Sequence, residues 1–292
     1  MNKLQMSKCK EWLILLLIAV FSATFIDYYS PLNNNYSGDF AVFMMFAQSW
    51  AMGDIPFVEV FDHKGPFHFV VYLLGVLIGP EKWGVYIINI LWQVVILKLI
   101  VSIIRSFIQT NYYIEYCLLF VVSVFLLLTG IGFTCEVVSL PFILLPLYLT
   151  SKFWSREEPA NKHPLLYSFI YGICIAIVFL IRPNNGVVNC GLIIGFIIHM
   201  LLRRNFIELF LNGIILLGGF LTIVAPTLLY FYSKGALWAM IDDAYIFNIV
   251  YLGGGSANVD IQSNIVKMLP AFYVILLSLL YDRKFHVKYS FI

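Results

Sequence analysis

The chain has 292 residues, of which 61% are hydrophobic and 12% are charged, and its formal net charge is +2. Its mean hydropathy of +0.90 excludes an ordinary water-soluble domain, which would need more polar residues to cover its surface. The weak charge, without any basic run, gives no support to a nucleic-acid-binding protein. The composition predicts an all-α integral membrane protein that crosses the bilayer several times.

About eight apolar segments are long enough to cross a membrane as helices. Their approximate ranges are 12–28, 84–104, 113–131, 136–151, 165–181, 186–202, 207–231 and 264–281. A further apolar stretch, 66–79, is short for a span, begins with Pro66 and contains Gly75. Whether this stretch crosses decides the topology of everything that follows it.

The distribution of Lys and Arg predicts that 66–79 does not cross. If it lies at the outer interface, the cytoplasmic ends collect most of the basic residues, including the clusters at 152–162 and 203–204. If it crossed, both clusters would face outward. We therefore predict eight spans with both termini in the cytoplasm, in one membrane domain covering 1–292.

This topology leaves two long outer segments, 29–83 and 232–263, and we expect the chemistry there. In the first segment, aromatic residues recur at helical spacing in "GDFAVFMMFAQSWAMGD". They predict a helix at 40–52 that lies in the membrane interface with its aromatic face toward lipid. The stretch 66–79 is predicted to be a second interfacial helix. We expect the apolar surfaces of these two helices to hold a lipid tail.

Asp39 stands at the predicted start of the 40–52 helix. One interpretation is an N-cap, because Asp is favoured there and Ser37-Gly38 supplies a turn before it. The other is a carboxylate at the boundary between membrane and water that serves as a general base. The two roles are compatible.

The sequence "FDHKGP" places Asp62, His63 and Lys64 together between two apolar helices. A solvated turn would tolerate these residues, but an imidazole and an ammonium at the outer interface also suit a phosphate group. A divalent metal at Asp62 and His63 is a weaker alternative, since adjacent residues seldom share a metal ion. The sequence predicts no cofactor.

Four more residues on the outer side are candidates. Glu136 begins the fourth span, where it interacts favourably with the helix dipole or acts as a functional carboxylate. Arg182, in "IRPNNG", either reaches toward the interface along its aliphatic stem or binds an anionic head group. Asn248 and Tyr251, in the second outer segment, are weaker candidates.

The stretches "GDFAVFMMFAQSWAMGDIPF" and "FDHKGPFHFVVYLLG" together resemble polyprenyl-phosphate-sugar-dependent glycosyltransferases of the GT-C fold. The resemblance is to the family 39 type, which includes protein O-mannosyltransferases and lipid A aminoarabinose transferases. The Glu136 region, "IRPNNG" and "FNIVY" also look like bacterial members. The resemblance implies that Asp39 is the catalytic base and that His63 and Lys64 belong to the motif for the donor phosphate.

Two departures from the family pattern affect what the resemblance implies. Family members often have eleven or more spans, whereas this sequence stops after an eighth, so a truncated product is one expectation. The protein mannosyltransferase loop has paired prolines where this chain has Lys64-Gly65-Pro66. The second departure leaves the class of acceptor open among lipid, glycan and protein.

The resemblance implies an inverting hexosyltransferase in a bacterial plasma membrane, with an outer active site and a polyprenyl-phosphate sugar as donor. One alternative is a polysaccharide polymerase or ligase, which should carry arginines in a late outer loop, and 232–263 has none. The other is a flippase or transporter of lipid-linked sugars. It should place ionisable residues in mid-span, where Lys98 and His199 are the nearest candidates.

Overall fold

The structure is a computed structural model that describes residues 8–25, 30–33, 38–107, 112–128, 132–155 and 162–254. Throughout these ranges the chain forms helices and turns, and its only β-type pairing is an isolated bridge between Pro56 and Val60. The prediction of an all-α fold is confirmed.

The helices in chain order are α1 Lys8–Phe25, α2 Gly38–Met52, α3 Pro66–Ile78, α4 Trp83–Phe107, α5 Tyr112–Leu128, α6 Cys135–Trp154, α7 Leu165–Ile181, α8 Val187–Leu202, α9 Phe206–Ser233, α10 Leu237–Ile241 and α11 Phe247–Gly254. A 3₁₀ turn, Pro183–Gly186, precedes α8, and a π-helical turn, Asp242–Ile246, joins α10 to α11. Seven predicted spans coincide with α1 and with α4 to α9. The predicted span at 264–281 lies outside the described residues.

Four of the described helical segments are long and apolar enough to cross a membrane. They are α4, α6, α9 and the 20-residue segment Pro183–Leu202, which includes α8. α7 is shorter, with 17 residues, but at about 1.5 Å per residue it still extends roughly 26 Å. The chain is therefore a helical membrane protein, and the count of eight spans stays a prediction.

Four charged side chains join α1, α4 and α5. Glu11 Oε1 lies 2.8 Å from Lys98 Nζ and 2.9 Å from Arg105 Nη1. The other side of the Arg105 guanidinium lies 2.8 Å from Glu115 Oε2. Both carboxylates are buried, where a charge is tolerated because it is paired. Lys98, a mid-span residue considered for a transporter, is therefore part of an ion-pair network.

This network also constrains the path of the chain. It brings the start of α1 next to the last turns of α4, so the two helices are antiparallel. The chain between them must therefore begin and end on the same side of the membrane, the side where α1 ends. That return requires that α2 and α3 both cross or that neither does. With 15 and 13 residues, they extend only about 22 and 20 Å, less than the hydrocarbon thickness of about 30 Å. The geometry agrees with the prediction that 66–79 does not cross.

The aromatic face of α2 is directed into the protein. Phe40, Phe43 and Phe46 are each 1% exposed. Phe46 stacks on Phe69 of α3 at 3.7 Å between ring centroids, and Phe43 meets Tyr72 edge-on at 5.5 Å. The expectation that this face contacts lipid is wrong, because α3 presents aromatic residues of its own that bury it.

α7 and α9 pack closely against each other at two glycines. The C-terminal end of α7 lies at the candidate site. A Cβ atom on Gly172 would lie 2.0 Å from the carbonyl oxygen of Leu216, and one on Gly219 would lie 2.1 Å from that of Phe169. Small residues at such crossings let two membrane helices pack backbone against backbone. The end of α7, at Ile181, then meets the loop between α2 and α3.

Candidate active site

Asp62, His63 and Lys64 contact one another in the loop between α2 and α3. Asp62 is 5% exposed, and its Oδ1 accepts a hydrogen bond from the backbone N–H of Lys64 at 2.9 Å. Lys64 Nζ lies 3.0 Å from His63 Nε2. An ammonium group can only donate, so His63 Nε2 accepts and the neutral ring carries its proton on Nδ1. That nitrogen lies 3.8 Å from Asp62 Oδ1, too far for a hydrogen bond. The direct contact that orients Lys64 is therefore its hydrogen bond to His63.

The surroundings of His63 keep its ring neutral. Burial and the adjacent Lys64 charge lower the pKa of His63 below its ordinary value of 6.5. The charge of Arg182 acts in the same direction, while Asp62 and Asp39 oppose it. Charges from three separate segments therefore act on one imidazole, which places Asp39 and Arg182 in the same electrostatic environment as the loop.

Gly65 fixes this loop against the end of α7. Its backbone N–H donates to the carbonyl oxygen of Ile181 at 2.9 Å, and a Cβ atom at this position would lie 2.1 Å from the carbonyl oxygen of Leu180. A proline could neither donate this hydrogen bond nor fit this space. The contact gives a physical reason for a glycine at position 65. Sequence reasoning interpreted Gly65 only as part of a turn.

Arg182 follows α7 directly and is paired with Glu136, which lies in the first turn of α6 as predicted. Arg182 Nη1 is 2.8 Å from Glu136 Oε1, and both side chains are partly exposed. Just beyond Arg182, the Asn185 side chain donates to the carbonyl oxygen of Cys135 at 3.2 Å and to Ser139 Oγ at 2.9 Å. These contacts hold the Arg182 segment on the start of α6.

Asp39 is exposed in the first turn of α2. Because α2 begins at Gly38, Asp39 lies inside the helix, and the prediction that it is the N-cap is wrong. An acid in the first turn still interacts favourably with the helix dipole. The structure leaves the carboxylate at the surface, where an acceptor hydroxyl could reach it.

The segment that follows α9 docks on the same loop through Asn248. Its side-chain amide donates to the backbone carbonyl of His63 at 2.8 Å and to that of Ala244 at 2.9 Å. The Phe247 ring lies 5.2 Å from Phe61 and 6.1 Å from His63, centroid to centroid. The π-helical turn before Phe247 is a feature that often occurs at functional sites. The side chain of Tyr251, also predicted for the site, lies outside the described residues.

Two features of the segment between α1 and α4 were missed by sequence reasoning. Lys82 is buried and donates to the carbonyl oxygen of Asn33 at 2.7 Å, while its ammonium lies 5.6 Å from the Phe40 ring centroid. His68 is buried among the aromatic residues of α2 and α3. In the part of the chain that the structure describes, no three His, Cys, Asp or Glu side chains are grouped to hold a metal ion.

A family model described as dolichyl-phosphate-mannose-protein mannosyltransferase matches residues 63–230, more than half of the chain. The chain belongs to this family. The resemblance to GT-C glycosyltransferases is thereby confirmed, and the protein is a membrane glycosyltransferase of the mannosyltransferase kind. Comparisons with curated proteins and with solved structures found no match.

The matched range of this mannosyltransferase-family protein starts at the candidate site. It begins with His63 and includes Lys64, Glu136 and Arg182, whereas Asp39 and Asn248 lie outside it. The contacts of Asn248 and the charge of Asp39 nevertheless reach His63. The candidate site therefore extends beyond the matched range on both sides.

Proposed function

We propose that this protein transfers a sugar from a polyprenyl-phosphate-linked donor to a hydroxyl group of a lipid, glycan or protein. The reaction takes place on the outer face of a bacterial plasma membrane. The observation that carries the proposal is the hydrogen bond from Gly65 to Ile181, which brings the segment of His63 and Lys64 next to Arg182. The charges of Arg182 and of the exposed Asp39 both act on the imidazole of His63.

Such an arrangement suits a single inverting displacement. Asp39 takes the proton of the acceptor hydroxyl as the oxygen attacks the anomeric carbon of the donor sugar. The bond from the anomeric carbon to the phosphate oxygen breaks, and its electron pair leaves with the lipid phosphate. The charges of Lys64 and Arg182 stabilise the negative charge that grows on this leaving group.

His63 and Glu136 act on the phosphate-binding cations in this proposal. The neutral His63 ring accepts a hydrogen bond from Lys64, so it directs the ammonium more than it supplies charge. Glu136 holds the Arg182 guanidinium through Nη1. Because both cations are held before the donor arrives, little side-chain entropy remains to be lost on binding.

The lipid tail is proposed to lie along α3. The outward face of α3 exposes Leu74, Leu77 and Ile78, whereas the aromatic face of α2 is buried in the protein. The aromatic face of α2 cannot hold the tail because α3 covers it, so the exposed apolar face of α3 is assigned to the tail.

The donor-site assignment is tested by Lys64→Gln, which keeps length and polarity but removes the charge. A hydrogen bond to a charged group contributes about 1.5–3 kcal/mol, so kcat/KM for the donor should fall roughly 10- to 150-fold. The KM for the acceptor should hardly change. Lys64→Arg should recover part of the loss if the site needs only a positive charge.

Lys234→Gln is a matched control, since Lys234 is an exposed lysine at the end of α9. It should leave donor and acceptor kinetics unchanged. Normal donor kinetics in Lys64→Gln, or a defect confined to the acceptor, would remove the loop from the phosphate site and with it the proposed reaction geometry.

A further inference from the structure

His68, in the first turn of α3, is a buried polar side chain that the proposed reaction does not use. It is 0% exposed, and neither ring nitrogen has a hydrogen-bond partner among the described residues. Aromatic rings surround it: Phe43 edge-on at 4.4 Å between centroids, Tyr72 at 5.1 Å and Phe69 at 5.3 Å. The environment is that of a core phenylalanine.

An imidazole in such a place carries a free-energy cost that a phenylalanine would avoid, since it gives up hydrogen bonds to water and gains none. Burial, with a smaller contribution from the Lys64 charge, lowers the pKa of His68 to about 3. The ring is therefore neutral, with one nitrogen that donates and one that accepts. Because a buried acceptor without a hydrogen bond is unfavourable, we expect the unprotonated nitrogen of His68 to gain a donor in another state of the protein.

The structure places Lys64 beside the same aromatic ring. Lys64 Nζ lies 5.3 Å from the Phe43 ring centroid, and His68 packs edge-on to that ring. The ammonium has three N–H donors, and its described contacts are His63 Nε2 and the more distant Asp62 Oδ1. His68 thus offers a second neutral acceptor within the protein, four residues beyond Lys64 in the sequence.

We propose that His68 is a positioning residue for Lys64 in the donor-bound state. As the donor phosphate accepts one N–H of Lys64, the unprotonated nitrogen of His68 accepts another and holds the ammonium against the phosphate. The inference rests on the proposed role of Lys64 in donor binding. It differs from a packing role because it predicts opposite effects on stability and on donor use.

The test is His68→Phe, which fills the site without a polar atom. The melting temperature without donor should stay the same or rise, because an unpaired polar group is removed. The KM for the donor should rise about tenfold, as expected for one hydrogen bond to a charged group, with the KM for the acceptor unchanged. His68→Gln, whose amide oxygen can accept, should recover part of the donor affinity.

Tyr72→Phe is the matched control in the same core. It removes a hydrogen bond from Tyr72 Oη to the carbonyl oxygen of Phe133, 2.6 Å long, and does not involve Lys64. It should lower the melting temperature and leave donor kinetics normal. A role of His68 in packing alone would make His68→Phe behave like this control or like the wild type.

A double-mutant cycle decides whether His68 acts through Lys64. In the Lys64→Gln background, His68→Phe should cause no further loss of donor kcat/KM. Additive losses, or normal donor kinetics in His68→Phe, would overturn the inference. If His68→Phe does not accumulate as folded protein, His68→Leu is used in the same cycle. Normal donor kinetics in Lys64→Gln would instead refute the proposed function.

Discussion

At the scale of single residues, the site joins one exposed acid to a set of oriented cations. Asp39 lies at the surface, while Lys64 and Arg182 are each held by a neighbouring side chain, His63 and Glu136. A base has to meet a diffusing hydroxyl, whereas the groups that stabilise a leaving phosphate act best when already in place. The difference in exposure and pairing follows the division of roles that we propose.

Asp39→Asn tests the base. An amide cannot take the acceptor proton, so the rate of transfer should fall by about 10²-fold or more. Removing the charge from the first turn of α2 should cost only about 0.3–1 kcal/mol of stability. Asp242→Asn, at an exposed acid of the π-helical turn after α10, is the control and should retain activity. Full activity in Asp39→Asn would show that Asp39 is not the base and has only its favourable interaction with the dipole of α2.

The neutral state of His63 predicts the pH dependence of donor use. Burial and Lys64 lower the pKa of His63 below 6.5, so the ring is neutral at pH 7 and protonates only as the pH falls further. A protonated ring cannot accept from Lys64. Donor kcat/KM should therefore be constant near neutrality and decline at acid pH, below 6.5. His63→Gln should remove this decline. If donor kcat/KM of that variant still declines below pH 6.5, a group other than His63 is responsible.

At the scale of elements, the site depends on the contact between the loop after α2 and the end of α7. The hydrogen bond from Gly65 to Ile181 sets the distance between Lys64 and Arg182 through the main chain. Side chains at 64 and 182 could change without altering where the two segments meet. Residue 65 has no such freedom, because its missing Cβ is what allows the approach.

Gly65→Ala should therefore impair both stability and catalysis. The new Cβ would lie 2.1 Å from the carbonyl oxygen of Leu180, and overpacking of this kind costs about 1–3 kcal/mol. The loop must shift, which should lower donor kcat/KM and the melting temperature together. Gly213→Ala, in α9 with no atom within 4 Å of its Cβ position, should be neutral or slightly stabilising. Equal behaviour of the two variants would contradict the contact.

Hydrophobic length and periodicity, which are local properties of the sequence, predicted the helices well. Seven predicted spans and the helices at 40–52 and 66–79 all correspond to helices of the structure. Periodicity also identified the aromatic face of α2, but a periodic pattern does not say whether such a face meets lipid or another helix. Its partner, Phe69, lies more than twenty residues away in the sequence.

The sequence identified individual residues of the candidate site, but it did not predict which of them contact one another. The charges in "FDHKGP" and Arg182 attracted attention because charged residues are rare in this chain. The pair of Arg182 with Glu136, and the bond from Asn248 to the backbone of His63, join segments 46 and 185 residues apart. No local pattern encodes contacts of that range, and Gly65 and His68 had no signal beyond their identity.

At the scale of the whole molecule, the predicted topology can be checked with reporter fusions. Fusions at Lys64 and Tyr251 should report the outer side, and fusions at Glu157 and Arg204 the cytoplasm, according to the positive-inside rule. A fusion after Glu81 should also report the outer side, because α1 and α4 are antiparallel and the chain between them returns to the side where α1 ends. A cytoplasmic signal at Lys64 would show that α2 and α3 both cross, and it would place the loop with His63 and Lys64 on the wrong side for a flipped lipid donor.

Cutting the chain back to the range matched by the family model would remove α1 and, with it, Glu11. Lys98 would then lose the carboxylate it binds, and Arg105 would keep only Glu115. An uncompensated ammonium inside a helical membrane protein is costly. The first helix therefore supplies a counter-ion for the fourth, although it lies outside the segment by which the family is recognised.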